Sequence, residues 1–254
     1  MAAAGVGTAV ALTTPVMAPT LWSVGGPVSR MLVPLFEDTN EDEYAMVVGR
    51  WVDGGVRKSR IHRIYRIQNG ALYAGYVSYR TAMAAAARRR AEEAAAQAVN
   101  VKADPDAEVV AAAPQSVTDD DGEITNEDLL WHGAEESTIY TILERGFDMR
   151  VSNQSGLIGV GNYFAWSSKY SLRYSSMGSH AHAQHRVRTE RPAGIDAPEN
   201  AMFMILARVV LGRVGPSSAG FRVPCHGFDS AAANDICCVF DNNACYPEYL
   251  VVFT

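Results

Sequence analysis

Three apolar runs near the C-terminus limit what this chain can become: MFMILARVVLG from Met202, ICCVF from Ile236 and YPEYLVVF from Tyr246. An amphipathic helix would repeat its apolar positions about every 3.6 residues and a half-exposed strand would alternate, so near-continuous runs read as strands buried in a sheet core. Upstream, SRIHRIYRIQ is a β-rich run, DLLWHG is a strand ending at Gly133, and EESTIYTILERGF places Ile139, Ile142 and Leu143 on one helical face before stopping at Gly146. The glycine-rich SGLIGVGNYFAWSS is followed by a second short helix, KYSLRYSS, and by a polar stretch, 176–200, that reads as a long loop. Strands and short helices without regular alternation predict an α+β fold with mainly antiparallel sheets rather than a doubly wound nucleotide fold.

The N-terminal half is looser. Residues 1–43 are rich in Ala, Thr, Pro and Gly and end in EDTNEDE, which predicts a weakly ordered tail with one short strand at Met31 to Phe36. AMVVGRWV reads as a strand and DGG as a turn. Asn69 stands where a helix cap would, ahead of Leu72, Tyr76, Tyr79 and Met83 at helical spacing. The Ala-rich continuation has almost no large apolar residue, so 84–128 is expected to be an exposed insertion ending in a disordered acidic linker within a domain spanning 44–254.

Charge narrows the partners. The chain has 254 residues with 22 Lys plus Arg and 28 Asp plus Glu, a net charge of -6. Most of the excess acid lies between 102 and 128, so the remainder is nearly neutral and no nucleic-acid partner is expected. Arg57, Lys58, Arg60, Arg63 and Arg66 form one basic stretch, read as a solvated strand face. No run approaches the ~18 apolar residues of a membrane span, and the apolar opening lacks the basic start of a secretory signal. Cys225, Cys237, Cys238 and Cys245 have no CxxC spacing and read as reduced, mostly buried thiols, which fits an intracellular protein of cytoplasm or nucleus. His180, His182 and His185 have a spacing that could ligate zinc, but they lie in loop-like sequence without a nearby Cys, and no metal is expected.

Taken in order, RIQNGALYAGY, LLWHG, ILERGF, GVGNYFAWSSKYSLRYS, ILARVVLG and VFDNNACYPEYLVVF resemble the catalytic domain of the poly(ADP-ribose) polymerase family, the diphtheria-toxin-like ADP-ribosyltransferases. The resemblance covers roughly 44–254 apart from the insertion. It implies a split pair of sheets clasping NAD, which serves as a substrate with nicotinamide as the leaving group. It also implies a protein acceptor for the ADP-ribose. His132 would bond an adenosine ribose hydroxyl, the backbone of Gly133 and the hydroxyl of Ser171 would hold the nicotinamide carboxamide, and Tyr163 and Tyr174 would stack on the ring. Phe164 and Ala165 complete the expected NAD contacts.

Polymerising relatives carry Glu at a third signature position, which here is Ile236. Ile cannot polarise a ribose hydroxyl, so His132, Tyr163 and Ile236 match the pattern of mono-ADP-ribosylating relatives. A one-residue slip in register would instead present Asp235. The resemblance departs from the family at Ala134, where Ser or Thr is common, and at Asp148, where some polymerising relatives are basic. The helical autoinhibitory domain of DNA-dependent members is not expected in the first 43 residues, so neither is activation by DNA breaks. The competing reading is a catalytically silent domain of the same fold that binds protein or RNA. Tyr170 reads as an ordinary helix-face aromatic and Glu248 as structural.

Overall fold

The computed structural model describes Trp22 and residues 30–102, 125–181, 191–192 and 194–254. Its strands are β1 (Arg30–Leu35), β2 (Ile61–Asn69), β3 (Glu127–Gly133), β4 (Asn162–Ala165), β5 (Met202–Val210), β6 (Val214–Gly215), β7 (Ser230–Ala233), β8 (Ile236–Val239) and β9 (Cys245–Phe253). The helices are α1 (Glu41–Asp53), α2 (Gly70–Lys102), α3 (Glu136–Arg145) and α4 (Ser168–Ala181). Among the described residues the strands form one sheet in the order β1-β2-β9-β5-β3-β4-β8-β7-β6. Every pairing is antiparallel except that of β6 with β7. This is the expected α+β architecture.

The long central strands are apolar but for Arg208 and Glu248, which pair with each other, because both faces are covered. Phe203, Ile205, Ala207 and Val209 of β5 join Leu250 and Val252 of β9 on the face under α3, where Ile139, Ile142 and Leu143 pack. Met204 and Leu206 alternate to the other face with Val251 and Phe253, against Val47 and Trp51 of α1. The period of two on each strand thus feeds two cores rather than one core and solvent. The two halves of the sheet meet at β3 and β4 through a single pair, Trp131 with Ala165, and the split implied by the resemblance takes the form of this pinch.

Three boundaries differ from those read in the sequence. AMVVGRWV is the body of α1, not a strand: Val47 and Trp51 lie four apart on its buried face, with Glu41, Asp42 and Glu43 in the first turn and Arg50 in the last, as the helix dipole favours. The adjacent Val47 and Val48 mimic a strand locally, but burial decides. The domain also begins before residue 44. β1 pairs along its length with β2, Leu35 is buried, and the Glu43 carboxylate meets Arg66 and the Tyr249 hydroxyl.

The third boundary is the insertion. Asn69 does cap α2, its side-chain oxygen accepting from the Leu72 amide at 3.3 Å. The helix then continues to Lys102, with Ala84 buried and Arg90 paired to Asp229 at 3.5 Å. Glu127 and Asp128 belong to β3: Glu127 binds Arg80, Arg208 and the Tyr76 hydroxyl, and Asp128 binds Arg50 and the Trp166 indole. From 91 to 97 the helix is exposed on every side, and the rest of the acidic stretch, 103–124, lies outside the described residues. Arg90 and Thr125 both anchor to the 212–229 region, through Asp229 and through the Gly212 amide. Deleting 91–124 and closing with a short Gly/Ser linker is therefore expected to shift the melting temperature little, since loop length costs only about 0.6 kcal/mol per doubling. Thermal denaturation of the deletion variant checks this.

Candidate active site

The pinch builds the site. The Leu211 amide donates to the carbonyl of Asn126, just before β3, so Asp128, Leu130 and His132 are the β3 residues whose backbone groups bond β5, and those of Trp131 and Gly133 point toward β4. On β4, the Trp166 amide donates to the Asp235 carbonyl, so alternate backbone groups, including those of Tyr163, point back toward β3. Continuing the register from Trp131 and Ala165 would set Gly133 opposite Tyr163, but the ladder stops at the first pair. The strands splay, leaving the backbone groups of Gly133 and the Tyr163 amide facing a gap.

His132 occupies one side of that gap. Its Nδ1 lies 2.8 Å from the Tyr163 carbonyl, and its ring packs edge-on against Phe147 at 5.1 Å and beside Phe164 at 5.7 Å. A carbonyl can only accept, so Nδ1 carries the proton and Nε2 keeps a lone pair. Burial among aromatic rings lowers the pKa of His132, partly offset by the bond to the Tyr163 carbonyl, and the imidazole is neutral at neutral pH. A neutral ring with a free Nε2 is an acceptor for a hydroxyl.

The glycine-rich loop fixes Tyr163. Its hydroxyl donates to the Gly159 carbonyl at 2.7 Å and accepts from the Ile158 amide at 3.0 Å. Desolvation pushes its pKa up to about 12, so the ring stays a neutral phenol. Through β4–β8 pairing, Tyr163 sits opposite Cys238 and Ala165 opposite Ile236. Their side chains therefore share one face, in a cluster with Ile158 and Tyr170. Asp235 falls in the turn between β7 and β8, after Asn234 with φ +53°. The strand thus presents Ile236 to the Tyr163 face.

A serine stripe on α4 completes the wall. Ser168 donates to the Trp51 carbonyl at 2.7 Å, Ser171 to the Trp131 carbonyl at 3.1 Å and Ser175 to the Phe203 carbonyl at 2.9 Å. Small hydroxyls at spacings of three and four let the helix lie close on the sheet while its buried polar groups stay bonded. The Ser171 hydroxyl spends its proton on Trp131, so toward a ligand it offers lone pairs. Gly133 is needed for the same approach: a Cβ there would stand 2.0 Å from the Ser171 carbonyl oxygen. The glycine thus lets α4 pack against β3.

Not every expected contact gathers here. Tyr174 is 48% exposed, and its hydroxyl meets that of Tyr170 at 3.4 Å, with the rings 5.8 Å apart. Tyr170, read from the sequence as an ordinary helix aromatic, therefore sits beside the site and orients Tyr174; its spacing of four from Tyr174 was the available signal. The Phe164 side chain points away from the Tyr163 face into the core under α3, leaving only its backbone near the gap. Asp148 is held well below its ordinary pKa, at about 2, by hydrogen bonds from Arg150. Phe147, whose ring braces His132, was missed because GF looked like a helix terminator.

The remaining sequence features resolve differently. In the basic stretch, Lys58 pairs with Glu37, Arg63 with Asp196 and Arg66 with Glu43, while Arg60 bonds the Thr254 carbonyl. Lys58, Arg63 and Arg66 thus spend their charges on acids of this chain. Cys237, Cys238 and Cys245 are buried free thiols with raised pKa values caused by burial, and Cys225 is half-buried. The side chains of His180, His182 and His185 lie outside the described residues. Among the described residues no group of three His, Cys, Asp or Glu side chains could hold a metal, and no helix is long and apolar enough to cross a membrane. An open cleft of about 380 Å³ beside the β7–β8 turn, lined by Arg50, Asp53, Gly54, Trp166, Ser167 and Asp235, adjoins Ile236 but does not include Tyr163.

Comparison with known proteins fits this geometry. The chain is 28% identical over 255 residues to human protein mono-ADP-ribosyltransferase PARP11, covering 93% of this chain and 63% of that protein. It is 28% identical to the mouse protein of the same name, covering 92% and 64%, and 30% identical to mouse protein mono-ADP-ribosyltransferase PARP12 over 145 residues, covering 52% and 18%. The chain thus spans a little under two thirds of the length of the PARP11 relatives. The family model described as "Poly(ADP-ribose) polymerase catalytic domain" matches residues 42–218, which takes in β2 to β5 with the splayed strands and α4. The chain belongs to the poly(ADP-ribose) polymerase catalytic domain family.

Proposed function

We propose that this chain is an NAD-dependent protein mono-ADP-ribosyltransferase. The observation that supports it most is the splayed pair of strands, with the Gly133 backbone facing the gap, the Ser171 lone pairs beside it and Ile236 on the Tyr163 face. In this reading the nicotinamide carboxamide bonds Gly133 and Ser171, its ring stacks on Tyr163 and Tyr174, and Nε2 of His132 accepts from the adenosine ribose. Fixing both ends of NAD favours cleavage of the bond between ribose C1 and the pyridinium nitrogen. The nitrogen keeps the bonding pair and nicotinamide leaves neutral, while positive charge develops on the ribose. An acceptor carboxylate then forms the new bond to C1, giving a neutral ester with no proton to dispose of. Ile236 cannot activate a ribose hydroxyl for a second transfer, so the acceptor carries one unit.

Incubation with labelled NAD, followed by intact-mass measurement, tests this. The expected result is a single discrete mass increment per modified site, inhibited by a benzamide that offers the same carboxamide. Ile236→Glu is expected to weaken the enzyme rather than create a polymerase, because a carboxylate placed among Ile158, Ala165 and Cys238 is costly to bury. A polymer ladder from the unmodified protein would overturn the assignment of Ile236. The competing reading, a silent binding module, is favoured by Asp148, which binds Arg150 and withholds that guanidinium from a diphosphate. Absence of both labelling and calorimetric NAD binding would select it.

A further inference from the structure

Behind the candidate site lies one side-chain amide that the transferase reading leaves unused. Asn242 opens the short turn Asn242–Ala244 between β8 and β9. That turn is fixed on two sides: the Asp241 carboxylate accepts from the Asn243 amide at 2.8 Å, and α2 lies so close that a Cβ at Gly75 would stand 2.6 Å from the Asn243 side-chain oxygen. From this base the Asn242 side-chain oxygen accepts two bonds, from the Met149 amide at 2.8 Å and from the Asn162 side chain at 3.2 Å. Met149 follows Phe147 by two residues, and Asn162 immediately precedes Tyr163. A second tie runs beside the first, the Ser152 hydroxyl donating to the Gly161 carbonyl at 2.6 Å.

The bridge joins the two walls of the site. On one wall Phe147 is buried, its ring packed on those of His132 and Phe164, each at 5.1 Å between centres. On the other, Asn162 is buried and alternates with Tyr163 to the opposite face of β4. Removing the shared oxygen would leave the Asn162 amide with the weak acceptor Cys245 Sγ at 3.9 Å, and the Met149 amide would lose its bond. We propose that Asn242 is a positioning residue for NAD: by tying Met149 to Asn162 it sets Phe147 against His132 and so aims the His132 Nε2 at the adenosine ribose. This rests on the transferase reading, which gives that nitrogen its hydroxyl. Asn242 itself touches no reacting atom. His132 keeps its bond to the Tyr163 carbonyl without it, so what is lost is the brace that fixes the tilt of the ring, and small misplacements of a binding group are costly.

Steady-state release of nicotinamide from NAD, together with calorimetric NAD affinity, tests this on the full chain. Asn242→Ala is expected to raise KM and Kd for NAD about tenfold with kcat nearly kept, because the adenosine contact is made equally in the ground and transition states. A merely structural residue would do the reverse, lowering kcat with the folded fraction while KM stays. A reciprocal exchange supplies the rescue. Bonds from Arg150 do most to hold Asp148 at its low pKa, and a weaker one comes from the Asn242 side chain, so Asn242→Asp sets two carboxylates together and is also expected to raise KM. Adding Asp148→Asn restores a donor opposite an acceptor: the carboxylate at 242 accepts from Met149, Asn162 and the new amide at 148. KM is then expected to return to within about twofold of the value for Asp148→Asn alone. Unchanged KM and affinity in Asn242→Ala, a fall in kcat alone, or no recovery in the paired exchange would overturn the positioning role while the unmodified chain still cleaves NAD. An unmodified chain that neither binds nor cleaves NAD would overturn the transferase reading and the positioning role together, and the two failures are thereby distinguished.

Discussion

His132→Ala is expected to abolish labelling from NAD while leaving a cooperative fold. The substitution removes the Nε2 acceptor and the bond that fixes the Tyr163 carbonyl at the edge of the gap. Each lost contact costs about 1–3 kcal/mol where the partner stays desolvated, and together they account for a fall of a hundredfold or more by the order-of-magnitude relation between free energy and rate. Steady-state kinetics with a thermal melt measure both halves of the statement; wild-type turnover would sink it. The pH profile follows from the same atom. Burial places the pKa of His132 below the ordinary 6.5, so turnover should hold down to that pH and fall only further into acid, as Nε2 takes a proton and becomes a donor. Stability runs the same way. The unfolded chain protonates first, so the contribution of His132 is fully present above the unfolded pKa and is lost as pH falls through the folded one. His132→Ala should therefore flatten the acid limb of a melting-temperature profile.

Gly133→Ala is expected to be the more damaging change to the fold. Its Cβ would lie 2.0 Å from the Ser171 carbonyl oxygen and 2.8 Å from the carbonyl carbon, both backbone atoms that no rotamer change can move. Helix α4 must shift away, which strains or breaks the Ser171 bond to Trp131 and carries Tyr174 with it. Overpacking of this kind costs about 1–3 kcal/mol and occasionally more, a drop of several degrees in melting temperature, with activity lost through displacement of α4. Gly49→Ala in α1 is the control: nothing lies within 4 Å of a Cβ there, and Ala gains up to about 1 kcal/mol in helix propensity. Equal stability of the two variants would show that α4 does not rest on Gly133 as described.

Much of this was legible beforehand, for identifiable reasons. β5, β8 and β9 were readable because strands buried on both faces are apolar at nearly every position, and α3 because its apolar residues repeat at helical spacing and Gly146 ends it. α1 was not, because two adjacent β-branched residues outweighed a stripe whose partner, the far face of β5 and β9, is distant in sequence. The edge of the insertion was misplaced for the same reason. Glu127 and Asp128 look like the end of an acidic tract, and only the arginines at 50, 80 and 208, brought to them by folding, make them part of a strand.

The sequence by itself determined the fold class, since apolar patterning is a local property, and its resemblance to the family nominated His132, Gly133, Tyr163, Ser171, Tyr174 and Ile236. Tertiary structure decided how they are used. The register that turns Ile236 toward Tyr163 and leaves Asp235 in a turn depends on which strand β8 meets. The direction of the Phe164 side chain into the core, the tautomer of His132 and the occupied proton of Ser171 depend on partners tens of residues away. The gap itself is a place where pairing stops. A sequence specifies what can pair, and only the packing of α4 and the splay of β3 from β4 determine where pairing ends.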